Sequence, residues 1–168
     1  MSALPPFRIP VADLLRRPGA TRDVSVTAPI EALDNGGATI VGDVSVDGRL
    51  ERIPEGMVMR GEIAATWEAH CSRCLQEVGG ALSLHVDELF EKDSIDGETY
   101  KLDDDSVDLE PLVRDALLLE LPSAPVCRDD CAGLCAQCGA NRNETDCDCH
   151  TEQDDPRWAA LKSLNIPN

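Results

Sequence analysis

Eight cysteines constrain this chain more than any other feature, because they fall into four close pairs: Cys71/Cys74, Cys127/Cys131, Cys135/Cys138 and Cys147/Cys149. Six lie in the single stretch CRDDCAGLCAQCGANRNETDCDCH, Cys127 to His150, and two in TWEAHCSRCL, Thr66 to Leu75. Such short separations let one turn aim two sulfurs at one ion, and two closed four-thiolate zinc sites would use every cysteine. The local one is Cys135, Cys138, Cys147 and Cys149, where Gly139 permits the tight turn after the second thiol. Cys71 and Cys74 sit where one strand turns into the next, and Cys127 and Cys131 follow a helix, so a second zinc would staple helix to sheet. The rival partition is one zinc among the six downstream thiols with two sulfurs to spare. An iron–sulfur cluster and thiol redox chemistry at Cys71/Cys74 are further alternatives, although the strand, CxxC, helix order of a thioredoxin is missing.

The chain has no charged start followed by a long apolar run, and its apolar runs are too short to span a bilayer. A cytoplasmic location is expected, where thiols serve as metal ligands more readily than as disulfides.

The rest of the chain reads as an α+β fold. Residues Pro10 to Arg17 are expected to form a short helix stopped by Pro18, and DVSVTAPI a short strand. After the turn LDNGGA, period-two alternation gives a strand carrying Ile40, Val44, Val46 and Leu50, a second carrying Met57, Met59, Ile63, Ala65 and Trp67, and a third carrying Leu82, Leu84, Val86 and Phe90. These form an antiparallel β-meander. Asp108 is expected to cap a helix with Leu109, Leu112, Val113, Leu117 and Leu121 at helical spacing, which covers the sheet. The cysteine-rich zinc knuckle follows, then a short terminal helix from about Pro156 to Leu164. The expected organisation is an α+β domain over residues 1–126 and a cysteine-rich segment over 127–168, packed on the first as one unit.

Charge bounds the partners. The net charge is −17, and residues 87–168 hold −14 of it. Between Asp87 and Glu110 there are 11 acids against Lys92 and Lys101, and residues 87–108 read as a solvated acidic loop. Aromatics are 3% of the chain, which offers no stacking platform for bases. A field of this sign repels nucleic acid and steers basic proteins. Asp103, Asp104 and Asp105 are candidate partner-binding residues, with Arg49, Arg60 and Arg73 as the alternative patch for direct RNA contact. No phosphate loop, nucleophile elbow or paired-carboxylate motif is present, and closed thiolate sets leave no open coordination position, so no enzymatic activity is expected.

Taken in order, CSRCL, an acidic spacer, DLEPLVRDALLLELPSAPVC, CAGLCAQCGANRN, CDC and DPRWAALKSL resemble the bacterial YceD-like family, named for large ribosomal RNA subunit accumulation. The resemblance is strongest over Thr66 to Leu75 and Asp108 to Leu164. It implies a non-enzymatic factor in accumulation of large-subunit ribosomal RNA and in biogenesis of that subunit. Within the family some members keep the upstream CxRC without the CxxCG and CxC thiols, which makes the surface near Cys71 and Cys74 the candidate for a shared function. Set against the charge, the resemblance favours a basic large-subunit ribosomal protein or a pre-ribosomal particle as partner, with no membrane and no DNA. The opposing class is a zinc-handling or thiol-redox-responsive protein.

Overall fold

The computed structural model describes residues 5–149. Its centre is a sheet ordered β2 (Thr21–Pro29), β3 (Ala38–Arg52), β4 (Met57–His70), β5 (Glu77–Glu91) and β6 (Tyr100–Lys101). The first four strands form a consecutive antiparallel meander; β6 adds two residues in parallel to β5, pairing Phe90 with Tyr100. Alternation explains the pleat, because Val44, Val46, Leu50, Met57, Met59 and Ile63 are fully buried on one face. Between Val41 and Ser45 the β3 register shifts against Thr66 and Ala64 of β4. The shift takes four steps on β3 against two on β4, so the bulge turns the strand without moving its apolar set to the other face.

The buried face is closed from two directions. The helix α1 (Glu110–Glu120) supplies Leu112, Val113 and Leu117, with Leu109 and Leu121 at its ends. It starts just beyond the expected cap: Leu109 takes the capping position, and Asp108 Oδ1 accepts the Glu110 N–H at 3.0 Å. The helix covers the sheet only in part. Phe7, Val11 and Leu14 complete the same core.

Residues Pro10 to Arg17 are therefore not the expected helix. Val11 donates its N–H to Asp105 O at 2.7 Å, and the segment makes turns around Leu14. Too few residues lie between Pro10 and Pro18 to repay helix nucleation, whereas docking buries Val11 and Leu14. The strand just before them, β1 (Arg8–Pro10), pairs with β7 (Ser106–Asp108).

That pairing also corrects the acidic loop. Residues 87–91 end β5, β6 and β7 lie within the same stretch, and Leu102, Ser106 and Val107 are buried. Acid density masked a few apolar residues that alternate into the core.

The LDNGGA turn does more than reverse the chain. Asn35 Oδ1 accepts the N–H groups of Gly37 and Ala38 at 2.9 Å, and Asn35 Nδ2 donates to Leu121 O at 2.9 Å. The C-terminal end of α1 is thus tied to the start of β3. The terminal helix expected at 156–164 lies outside the described residues. Among the described residues no helix is long and apolar enough to cross a membrane.

Candidate metal centres

The β4–β5 hairpin ends with His70 opposite Glu77, so Cys71 and Cys74 occupy its tip. There the chain makes a knuckle: Leu75 N–H donates to Cys71 O at 2.9 Å and Cys71 N–H to Gln76 O at 2.8 Å. The same backbone recurs downstream, where Gly139 N–H donates to Cys135 O and Cys135 N–H to Ala140 O, both at 2.8 Å. In each knuckle the residue after the second cysteine has positive φ, 74° at Gly139 and 63° at Leu75. Glycine adopts this conformation freely and leucine does not. Leu75 nevertheless sits there with its side chain 61% exposed.

Two sets of four thiols assemble. Cys71, Cys74, Cys127 and Cys131 form one, and Cys135, Cys138, Cys147 and Cys149 the other, with the sulfurs of each set within 4.8 Å of one another. These are the groups that close spacing suggested, including the long-range joining of hairpin tip to the segment after α1. Cys71 and Cys131 sulfurs are 3.8 Å apart, and those of Cys74 and Cys127 3.6 Å. Both separations far exceed a disulfide bond of about 2.05 Å. They match the edge, about 3.8 Å, of a tetrahedron whose sulfurs lie about 2.3 Å from a central zinc. The donor set and its spacing therefore fit a closed tetrahedral metal site. Cys71, Cys74 and Cys131 are buried with Val78, Val126 and Leu134 packed around them, and Cys127 is the most accessible of its set. In the second set Cys135 is buried and Cys138 exposed.

Backbone dipoles prepare the sulfurs. Burial pushes the Cys71 thiol up, but the N–H groups of Cys74, Arg73 and Cys127 outweigh it and hold it down to about 6. The N–H groups of Cys138 and Gln137 lead in lowering Cys135, also to about 6. Burial, followed by the neighbouring thiols, pushes Cys127 up to about 12; the Cys138 thiol, followed by burial, does the same to Cys149. In the first set Cys71 and Cys131 are thus lowered while Cys74 and Cys127 are raised, and in the second Cys135 is lowered while Cys147 and Cys149 are raised, an imbalance that a central cation would reverse.

The first set is knitted into the fold from both sides. Ser72 N–H donates to Pro125 O at 2.8 Å, Leu134 N–H to Arg73 O at 3.0 Å, and the Arg73 guanidinium to the carbonyls of Asp129 and Cys131 at 3.0 and 3.2 Å. Arg73 is therefore occupied in bracing the knuckle. Arg49 and Arg60 stand directly opposite each other on β3 and β4, where Arg49 pairs with Asp23 and Arg60 with Glu51 and Asp87. The three arginines do not come together as one patch, and each is matched locally.

The three candidate aspartates also have separate tasks. Asp103 pairs with Arg8, Asp104 with Lys92, and Asp105 accepts the Ser106 hydroxyl. Asp103 also lines a groove of about 840 Å³ between α1 and the β5–β6 connection, which sequence reasoning missed. Glu88, Asp96, Glu98 and Asp115 line it together with Leu118 and Leu119, and the last is 87% exposed. Tyr100 packs against Phe90 with centroids 5.3 Å apart and the rings tilted by 30°, and donates to Asp115 Oδ2 at 3.3 Å. The signal in the sequence was Leu118 and Leu119 themselves, which fall between the buried Leu117 and Leu121 and off their stripe.

Comparison with known proteins places these features in context. The profile described as "Large ribosomal RNA subunit accumulation protein YceD" matches residues 59–165, which include all eight cysteines. An uncharacterized protein of Mycobacterium tuberculosis is 39% identical over 96% of this chain and 83% of its own length. The large ribosomal RNA subunit accumulation protein YCED homolog 1, chloroplastic, of Arabidopsis thaliana is 36% identical over 34% of this chain and 18% of its own. The uncharacterized protein YlbN of Bacillus subtilis is 28% identical over 74% and 75%. No solved structure matches.

Proposed function

Because the chain belongs to the YceD family of large ribosomal RNA subunit accumulation proteins, we propose that it is a non-enzymatic factor that supports large-subunit ribosomal RNA by holding a basic segment of a large-subunit ribosomal protein. The observation that carries this reading is the groove beside α1. Glu88, Asp96, Glu98 and Asp115 stand around the exposed Leu118 and Leu119, with Lys101 the one base of the lining. Lysine and arginine side chains complement such a rim, and apolar side chains between them complement the leucines. Naked RNA meets the same acids as like charge.

In this reading each four-cysteine set holds one zinc ion, Cys71, Cys74, Cys127 and Cys131 for one and Cys135, Cys138, Cys147 and Cys149 for the other. The ions supply cross-links, since four thiolates complete the coordination and leave no position for substrate. A zinc-handling role would need accessible sulfurs, whereas Cys71, Cys74, Cys131 and Cys135 are buried.

The test is capture of large-subunit precursors by the native protein, followed by binding of purified large-subunit proteins and protein-free ribosomal RNA at low and high salt. Basic proteins should bind, with weakening by salt. Glu98→Gln with Asp96→Asn should slow association, because rim charges act chiefly on encounter, and Leu119→Asp should speed dissociation. Selective binding to protein-free RNA that survives these changes would overturn the proposal and move the site to the face carrying Arg49 and Arg60.

A further inference from the structure

We propose that the two four-cysteine sets bind metal cooperatively, and that Asn143 is the positioning residue that couples them. The inference rests on the reading that both sets hold metal. Asn143 lies between Cys138 and Cys147, inside the span that the second set closes. Its side chain nevertheless serves the first set, since Asn143 Nδ2 donates to Cys131 Sγ at 3.3 Å.

The orientation of that amide is fixed by its other partners. Asn143 Oδ1 accepts the Ala132 N–H at 2.9 Å and the Arg128 guanidinium at 2.7 Å, and Nδ2 also donates to Asn141 Oδ1 at 2.8 Å. Both donors and both acceptor positions of the carboxamide are used. A flipped amide would turn its nitrogen toward two donors, so Nδ2 must face the sulfur. Three of the four partners, Cys131, Ala132 and Arg128, belong to the segment of the first set.

An N–H donated to a coordinating thiolate spreads its charge and fixes its direction toward the ion. Partners of this kind alter metal affinity by about 10- to 100-fold. The donor is held in place only while residues 139–146 keep their path, and closure of the second set fixes both ends of that path. Further contacts run the same way: Arg142 N–H donates to Gly133 O at 2.9 Å, and Gln76 Nε2 donates to Glu144 Oε1 at 2.6 Å, joining the first knuckle to the second loop. Filling the second set therefore preorganises the first, and reciprocity requires that filling the first favours the second.

The experiment uses the full chain at graded free zinc and reads the protection of each cysteine from alkylation by peptide mass, which gives the occupancy of each set separately. Cys138→Ser, which opens the second set, should weaken zinc at Cys71, Cys74, Cys127 and Cys131 by about tenfold or more. Asn143→Asp, which keeps an acceptor for Ala132 and Arg128 but turns an oxygen toward Cys131, should weaken the first set at least as much. The double variant should lose little beyond the more severe single one, because both changes break the same link. Circular dichroism of each zinc-saturated variant checks that the sheet persists. Unchanged first-set affinity in Cys138→Ser, or losses that multiply in the double variant, would overturn the coupling. A native chain in which zinc protects no cysteine would remove the metal reading itself, a different result from two filled but independent sets.

Discussion

Cys71 and Cys135 show how a single thiol's surroundings set metal chemistry. Both fall to about 6, Cys71 despite burial and Cys135 through the N–H groups of Cys138 and Gln137, from an ordinary value of 9.0. A thiol lowered in the folded chain stabilises that fold at pH above its ordinary value, and the contribution is lost as pH falls through the lowered one. Protons and metal compete for the same sulfurs, so acid should release the ions, and only below the value of about 6 that Cys71 and Cys135 take without metal, because a bound cation holds its thiolates deprotonated. A chromogenic chelator added to the zinc-loaded protein across a pH series measures this. Full retention at about pH 4, or extensive release already at about pH 8, would contradict it. The two cysteine sets were legible as candidate metal sites because spacing is a sequence property. Asn143 was not, since nothing in NRNE distinguishes the asparagine that reaches Cys131 from a solvated one.

At the scale of elements, the two knuckles are one turn built from different sequences. CAQCG announces itself through Gly139, whereas CSRCL places Leu75 at the same positive φ. Left-handed backbone costs an L residue roughly 1–2 kcal/mol, and glycine gives back part of that gain through its flexibility when unfolded. Leu75 is 61% exposed and loses little burial when removed. Leu75→Gly should therefore raise stability by about 0.5–1 kcal/mol, seen as a higher urea midpoint of the zinc-loaded chain with unchanged slope. A lower midpoint would mean that the leucine contributes packing that outweighs its backbone strain. The strands of the meander were legible for a simple reason: residues such as Val46, Met59 and Ile63 alternate with charged ones on a half-buried sheet. The segment 10–17 misled because a short apolar pattern fits one helical turn and a docked coil equally well. The Val11 N–H to Asp105 O bond, together with the burial of Val11 and Leu14 in the core, selects the second.

For the molecule as a whole, the first thiol set joins the hairpin tip to the chain leaving α1, while the second closes a local loop. Losing one ligand should release the ion and whatever it pins. Cys74→Ser should accordingly raise amide exchange in β4, β5 and residues 122–135, whereas Cys138→Ser, at free zinc high enough to keep the first set filled, should act on residues 132–149, including the span that carries Asn143. Identical, purely local exchange patterns in the two variants would contradict this ranking. The sequence by itself determined the meander, the Leu-rich helix, the acidic bias and the pairing of thiols into knuckles, because alternation, helical periodicity, charge and short-range turns are all local. Tertiary structure decided that the hairpin tip meets Cys127 and Cys131, how Asn35 and residues 7–14 close the core, and that Asp103 braces Arg8 at the edge of a groove lined by Glu98 and Leu119. Each of these depends on contacts between residues far apart in the chain, whose partners are chosen by packing rather than by their neighbours in sequence.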